Sequence, residues 1–464
     1  MTQAAKTGRL VAGKRSDVDM TQGGIVGHLI RFAFPLLLGN LFQQLYNMVD
    51  TWVVGNYVSN EAFSAVGSVG PIINMLIGLF LGFSSGAGVV ISQYYGVKQY
   101  DNVQKTVHTA LVVTIGLGVV FSGVGIAIAP AMLRMMKTPA EVLPESKAYL
   151  TIYFAGILGL MVYNICSGIL RAVGDSKHPF YFLVVSAVTN IVLDLVFVLL
   201  FKMGVEGVAY ATILSQALSA VLVVITLVRS DSCVKLKFSA LRVDWRILKK
   251  IMRIGVPSAF QMAITSFSNV FVQSYINHFG ADCMSGWTAY GKIDQLILLP
   301  MQSIALATTT FVGQNLGAGL ETRARKGATK ALVISMCTTA VAMIPVLIFA
   351  PQFTAFFNAK TEVIEYGTLF LRWITPFYLV TCVNQIYSGV LRGAGNSRLP
   401  MIAMLCSFVV FRQIYLFIVA NFISNTIIPI AMGYPAGWVV CSALTLWYYK
   451  TTKLTVTTVV DQKD

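Results

Sequence analysis

Charge is scarce in this chain. Only 11% of its 464 residues are Asp, Glu, Lys or Arg, against 56% hydrophobic, and mean hydropathy is +0.72. A soluble globule needs more polar surface than that to cover itself, so a soluble fold is excluded. Segments of about ten residues with alternating polarity are missing too, which excludes a membrane β-barrel. There are four histidines, His28, His108, His178 and His278. They lie near span ends, no two are placed to cooperate, and no nucleophile, base or metal set is clustered, so the chain does not read as an enzyme. The seven cysteines are scattered and odd in number, and no CxxC pair occurs. That leaves neither a disulfide framework nor a metal centre built on thiols, and no cofactor is expected. The first residues lack a short apolar core followed by a small-residue cleavage site, so the first span is expected to serve as its own insertion signal.

What is present is apolar sequence in long runs. About twelve stretches suffice for a helix to cross a hydrocarbon core of about 30 Å. They fall near 29–56, 62–91, 106–136, 149–171, 180–201, 205–228, 250–277, 285–313, 327–350, 366–392, 400–424 and 427–449. The net charge of +15 is distributed unevenly. Lys98, Lys105, Arg171, Lys177, the cluster from Arg229 to Lys250, Arg323 to Lys330, Arg392 and Arg398 all follow even-numbered spans. Loops after odd spans hold mainly Glu61, Glu141, Glu145, Glu206, Asp282, Glu362 and Glu365. This asymmetry is the positive-inside pattern, which predicts a multi-pass protein of the cell membrane with both termini cytoplasmic and accounts for the basic surplus without a nucleic-acid partner.

The chain also repeats itself. The run from Ser167 to Pro179, SGILRAVGDSKHP, returns as Ser388 to Pro400, SGVLRGAGNSRLP, 221 positions later. The same offset relates Gln93 to Gln314 and Gly96 to Gly317, and it slips by one residue for Pro35 with Pro257 and Asn47 with Asn269. Each copy holds six spans, an even number, so the second copy enters the membrane from the same side as the first. The expected fold is all-α and membrane-spanning, with about twelve helices in two pseudo-symmetric six-helix lobes around a central cavity. Residues 1–28 and 451–464 are expected as cytoplasmic tails, 29–228 as the N-lobe, 229–249 as a cytoplasmic linker with a surface helix from about Asp244, and 250–450 as the C-lobe. Both repeated phrases read as basic turns between two helices.

Two carboxylates stand inside the first lobe, Asp50 in span 1 and Asp194 in span 5. Each costs several kcal/mol at membrane depth unless paired or hydrated, which makes each a candidate functional group. Asn190 shares a helix face with Asp194, and Thr212 lies at the same depth in span 6. Such a set binds Na⁺ through Asp50, Asn190, Asp194 and Thr212, or H⁺ on a buried acid; two protonated acids hydrogen-bonded for packing are the alternative. The acids are not duplicated, since Val272 stands opposite Asp50 and Tyr415 opposite Asp194. The second lobe instead carries Lys292, Asp294 and Arg412, either an internal charge network or a structural salt bridge.

Several fragments resemble the multidrug and toxic compound extrusion (MATE) family. They are Pro35 through Gln44-Leu-Tyr-Asn-Met-Val-Asp50-Thr-Trp-Val-Val-Gly55, Gln93-Tyr-Tyr-Gly96, both Ser-Gly-x-Leu-Arg-x-x-Gly phrases and Gly313-Gln-Asn-Leu-Gly-Ala318. The resemblance covers nearly the whole chain. It implies export of a small organic substrate from a membrane-embedded monomer, driven by inward H⁺ or Na⁺ flow. The DinF-like branch places an aspartate in helix 1, an Asn and an Asp four apart in helix 5, an Asn in helix 4 and a Thr in helix 6. Asp50, Asn190, Asp194, Asn164 and Thr212 stand at those places. The NorM-like branch adds C-lobe acids where this sequence has Thr265 or Ser266 and Asn384. Gln44, Asn47, Gln261, Asn269 and Gln273, amides on apolar helices, are expected either to face the cavity or to pack between helices. A related function, flipping of lipid-linked sugars, would call for several cavity arginines to hold pyrophosphate. Arginine in the inner spans is nearly limited to Arg412, which favours exporting organic, amphipathic or cationic compounds.

Overall fold

The computed structural model describes residues 18–135, 138–423 and 426–454, and among these every regular element is a helix. The first half comprises α1 (Ile25–Tyr57), α2 (Asn60–Gly96), α3 (Tyr100–Met135), α4 (Leu143–Ala172), α5 (Lys177–Leu195) and α6 (Gly204–Arg229). The second comprises α7 (Trp245–Asn277), α8 (Ala281–Gly317), α9 (Glu321–Ile348), α10 (Ala350–Phe357), α11 (Thr361–Ile374), α12 (Tyr378–Gly393), α13 (Arg398–Met404), α14 (Arg412–Ile418), α15 (Ile427–Ala431) and α16 (Gly433–Thr451). Among the described residues ten helical stretches are long and apolar enough to cross a membrane. The protein is therefore an all-α, multi-pass membrane protein.

The extra elements of the second half arise where the sequence interrupts a helix. Pro376 has no backbone N–H, and a 3₁₀ turn over Thr375–Phe377 joins α11 to α12 there. The span expected over 400–424 is described to residue 423, as one helical rod, Arg398–Ile423, in which α13 and α14 are separated by a π-helical stretch, Leu405–Phe411. α10 is a short helix between spans that the hydropathy pattern did not mark. The linker also differs from expectation. No separate surface helix starts at Asp244; its carboxylate caps α7 itself, accepting from Arg246 N at 3.0 Å and Ile247 N at 3.1 Å. The chain before it is clamped onto α3, with Lys237 N donating to His108 Nε2 at 3.1 Å and Asp244 N to Thr109 Oγ1 at 3.0 Å.

Both repeated phrases end a helix in the same way. Gly174 and Gly395 have φ of 92° and 86°, a left-handed conformation that glycine adopts freely. The residue after each, Asp175 or Asn396, returns its N–H to Leu170 O or Leu391 O, closing a Schellman turn. Asp175 Oδ1 then accepts from Lys177 N and His178 N, and Asn396 Oδ1 from Leu399 N, so one side chain ends the first helix and starts the next. Duplication here has preserved a stop-and-restart device that holds Arg171 and Arg392 in the last turns of α4 and α12.

Each lobe has its own apolar core away from the basic loops. One contains Val53, Val69, Leu76, Tyr153 and Val208, the other Val272, Trp287, Phe370, Tyr378 and Trp438. At the basic end the lobes exchange helix starts. Ile247, Ile251 and Ile254 of α7 are buried in a first-lobe core with Val90 and Leu170. Ile25, Leu29, Phe32 and Leu36 of α1 are buried in a second-lobe core with Ile304, Phe311 and Val390. α1 and α7 thus begin in the opposite lobe and finish in their own, and the equivalent prolines Pro35 and Pro257 lie inside them. Backbones touch at this crossing: a Cβ on Gly96 would lie 2.1 Å from Gln314 O, and one on Gly317 would lie 2.2 Å from Gln93 O. Only glycine permits that approach.

Candidate functional site

Between the lobes lies a cavity of about 380 Å³, within the range of small-molecule sites. Its wall draws on α1 (Gln43, Gln44, Tyr46), α4 (Tyr163, Asn164), α6 (Gln216) and the second-lobe residues Met262, Gln302 and Thr309. Ends of α4 and α12 supply Arg171 and Arg392, and none of the lining residues is Asp or Glu. Tyr163 is held by donating its hydroxyl to Pro179 O at 2.9 Å, and Asn164 by donating Nδ2 to Leu160 O at 2.9 Å.

The two acids of the first lobe lie behind that wall. Asp50 is 7% exposed and Asp194 fully buried, and their carboxyls are within hydrogen-bonding reach of each other. Asn190, one turn before Asp194 on α5, and Thr212 of α6 are buried in the same lobe. Five buried polar atoms have no hydrogen-bond partner among the described residues: Asp50 Oδ1, both terminal atoms of Asn190, and both carboxyl oxygens of Asp194. Unsatisfied buried groups in such density are costly, so the set is built for something that completes it. Two adjacent carboxylates cannot both hold a negative charge in this setting. One shared proton relieves the repulsion; so does one small hard cation, for which the carboxyl and amide oxygens are suitable donors. Thr212 Oγ1 spends its own hydrogen on Val208 O at 2.9 Å, leaving a lone pair free to accept.

Two tyrosines complete the surroundings. Tyr149 lies in the field of both acids, and Tyr46, one turn before Asp50 on α1, lies in the field of that carboxyl while lining the cavity. Tyr46 therefore stands between acids and cavity. Neither residue was singled out from the sequence, although the spacing of Tyr46 and Asp50 on one helix face was available there. A π-helical stretch, Val196–Leu200, begins two residues after Asp194.

Residues 35–196 and 257–433 match the MatE family, one stretch in each half and each beginning at one of the paired prolines. The chain belongs to the MatE family. It is 28% identical over 432 residues to the probable multidrug resistance protein YpnP of Bacillus subtilis, covering 93% of this chain and 96% of that protein. It is 24% identical to the probable multidrug resistance protein NorM of Thermotoga maritima, covering 91% of each. A solved MOP superfamily transporter from Pyrococcus furiosus superposes with a TM-score of 0.89 at 23% identity, covering 94% of this chain and 99% of that one, which shows the shared fold.

Within this MatE protein the remaining candidates are dispersed. Of the five amides, Gln44 alone is on the cavity wall among the described residues. Gln261 is buried and donates to Ser397 O at 3.0 Å, holding α7 to the start of α13. Asn269 accepts from Arg412 Nη1 at 3.3 Å, Gln273 donates to Asn277 Oδ1 at 2.7 Å on an exposed surface, and Asn47 is exposed on α1. Places equivalent to the two acids are closed: Val272 is fully buried, and Tyr415 donates its hydroxyl to Pro429 O at 3.0 Å. Asn384 is occupied, accepting from Ser388 and Thr445 hydroxyls.

Among the described residues Lys292, Asp294 and Arg412 form no ion pair. Lys292 is exposed, while Asp294 accepts from the hydroxyls of Tyr378 and Tyr290. Arg412 is 1% exposed, its guanidinium 4.5 Å from the ring centroids of both Phe408 and Tyr434 and donating to Ser268 Oγ at 3.1 Å. Stacking on two aromatic faces lowers the cost of burying the cation. Arg412 is not on the cavity wall, whereas Arg171 and Arg392 are, so the expectation that Arg412 is the main inner arginine is corrected. Hydropathy had assigned the other two to turns because each lies at a helix end.

Proposed function

We propose that this protein is a secondary antiporter, not an enzyme, that exports organic, amphipathic or cationic compounds in exchange for inward H⁺ or Na⁺ through Asp50, Asn190, Asp194 and Thr212, with Asn164 on the cavity side. The observation that carries this reading is the pair of buried, mutually adjacent carboxyls among five unpartnered polar atoms, separated from the cavity by Tyr46. The relatives' names as multidrug resistance proteins support the substrate class.

The coupling follows from charge. Without its ion, the pair must share a proton or repel, and binding Na⁺ or H⁺ removes that penalty. A conformation that fits the loaded site better than the empty one is thereby favoured, and only the difference in ion affinity between the two drives the change. In the structure the lobes are closed together at the basic end, through Gly96 and Gly317. With the basic end facing the cytoplasm of the cell membrane, this is the outward-facing half of an alternating-access cycle. Both lobes and the cavity come from one chain, so a monomer surrounded by lipid suffices.

Reconstituted proteoliposomes test the reading. Ethidium transport is measured under an imposed Na⁺ gradient without a pH gradient, and then under the reverse. One of the two should drive transport by the unaltered protein, and Asp50→Asn and Asp194→Asn should each abolish it. Gradient-driven transport at the unaltered rate in both variants would overturn the assignment.

A further inference from the structure

Arg171 and Arg392 occupy equivalent positions of the two repeats and line the same cavity. Each is held in the last turn of its helix by the Schellman turn that follows, at Gly174 or Gly395. Neither guanidinium has a hydrogen-bond or ion-pair partner among the described residues, and Arg392 Nε is buried without one. Among the described residues no carboxylate lines the cavity. Two cations thus face one small chamber without an anion. A half-buried cation without an anion costs free energy that an incoming oxyanion recovers.

We propose that Arg171 and Arg392 form an anion-binding floor in the central cavity that takes the carboxylate or phosphate of an amphipathic molecule. The guanidinium fork suits planar or tetrahedral oxyanions, and two forks contributed by opposite lobes engage one headgroup only when the lobes are closed at this end. The apolar body of the ligand lies against Leu36, Ile77, Leu81, Phe180 and Met262, all on the same wall. Acids behind Tyr46 and arginines at the floor give the protein separate places for a coupling cation and for an anionic group. The inference rests on the reading that this cavity holds the transported compound, and it extends the substrate class to anionic and zwitterionic amphiphiles.

The test uses full-length protein in nanodiscs of phosphatidylcholine. Calorimetry measures binding of dodecyl phosphate below its micellar concentration, with dodecyltrimethylammonium as a probe of equal tail and opposite headgroup. Arg171→Gln and Arg392→Gln should each weaken dodecyl phosphate binding by about tenfold, the worth of one charge-assisted hydrogen bond. The double variant should lose it, and dodecyltrimethylammonium should bind at least as well as before. Lysine at either place should restore part of the affinity, which separates loss of charge from misfolding. Repeating the measurement in discs containing phosphatidylglycerol identifies the source: competition by the lipid assigns the floor to a lipid headgroup, and its absence assigns it to a free organic anion. Unchanged dodecyl phosphate affinity in the double variant overturns the proposal. Ethidium transport by the same variants is scored separately, because loss of transport in the Asp50 and Asp194 variants alone bears on ion coupling and leaves the arginine floor standing.

Discussion

Gln93 and Gln314, equivalent residues of the two repeats, clasp the lobes reciprocally. Gln93 Nε2 donates to Gly393 O of α12 at 2.8 Å, and Gln314 Nε2 donates to Ala172 O of α4 at 2.9 Å. Both acceptors belong to last-turn carbonyls that a helix cannot satisfy internally. Gln314 also ties down the segment before α1, its Oε1 accepting from Met20 N at 3.0 Å.

This clasp works only because Gly96 and Gly317 let the backbones touch. Alanine at either would place a methyl carbon within about 2.2 Å of a carbonyl oxygen, so the closed arrangement is sterically barred and the basic end should stay open. A reporter cysteine at Thr309, on the cavity wall, in a background cleared of the native thiols, should be alkylated from the basic side much faster in Gly96→Ala or Gly317→Ala than without them. Equal alkylation rates would show that the lobes do not separate there.

Tyr149 is expected to act on the ion and not on the transported compound. Tyr149→Phe removes a hydroxyl that lies in the field of both acids while leaving the ring in its core beside Leu150 and Tyr153. Transport should then require a several-fold higher concentration of the driving ion, with the KM for ethidium unchanged. A shift in the ethidium KM alone would place Tyr149 on the substrate side instead.

Why part of this was legible in the sequence and part was not follows from the range of the interactions. Asp50, Asn190 and Asp194 were readable because an acid in an apolar span is conspicuous and a four-residue spacing fixes one helix face. The stop-and-restart turns were readable because glycine followed by Asp or Asn is a local signal. The exchange of the α1 and α7 starts between lobes had no such signal, since Leu29 and Ile251 look like any core residue of their own span. Arg171 and Arg392 read as turn charges because hydropathy places a residue along the membrane normal and says nothing about which way it faces. Only packing of α4 and α12 against α2 and α8 turns them into a cavity floor.

Arg412 separates charge from shape in the second lobe. Replacing a buried, unpaired cation by an apolar side chain of similar length should be nearly neutral, because the desolvation cost leaves with the charge. Arg412→Met should therefore keep the thermal midpoint close to that of the unaltered protein. Arg412→Ala should lower stability by about 3 kcal/mol, since it leaves a cavity between Phe408 and Tyr434. If methionine is as damaging as alanine in a thermal melt, the guanidinium contacts to Ser268 and Asn269 matter more than the space it fills.

The acid pair predicts a thermal signature that requires no transport. An ion bound only by the folded protein stabilises it by RT ln(1 + [L]/Kd), about 2.7 kcal/mol at one hundred times Kd. In the unaltered protein the melting temperature should rise with NaCl relative to choline chloride, or with acidification at constant salt, according to which ion completes the site. Asp194→Asn should be flat to both. Its amide supplies a donor to the adjacent Asp50 carboxyl, so the repulsion is relieved without proton or cation and stability without ion should be kept or raised. Asn190→Ala should respond to the ion more weakly than the unaltered protein but still respond, since both carboxyls remain. An Asp194→Asn protein whose melting temperature follows the ion as before would show that the cation binds elsewhere.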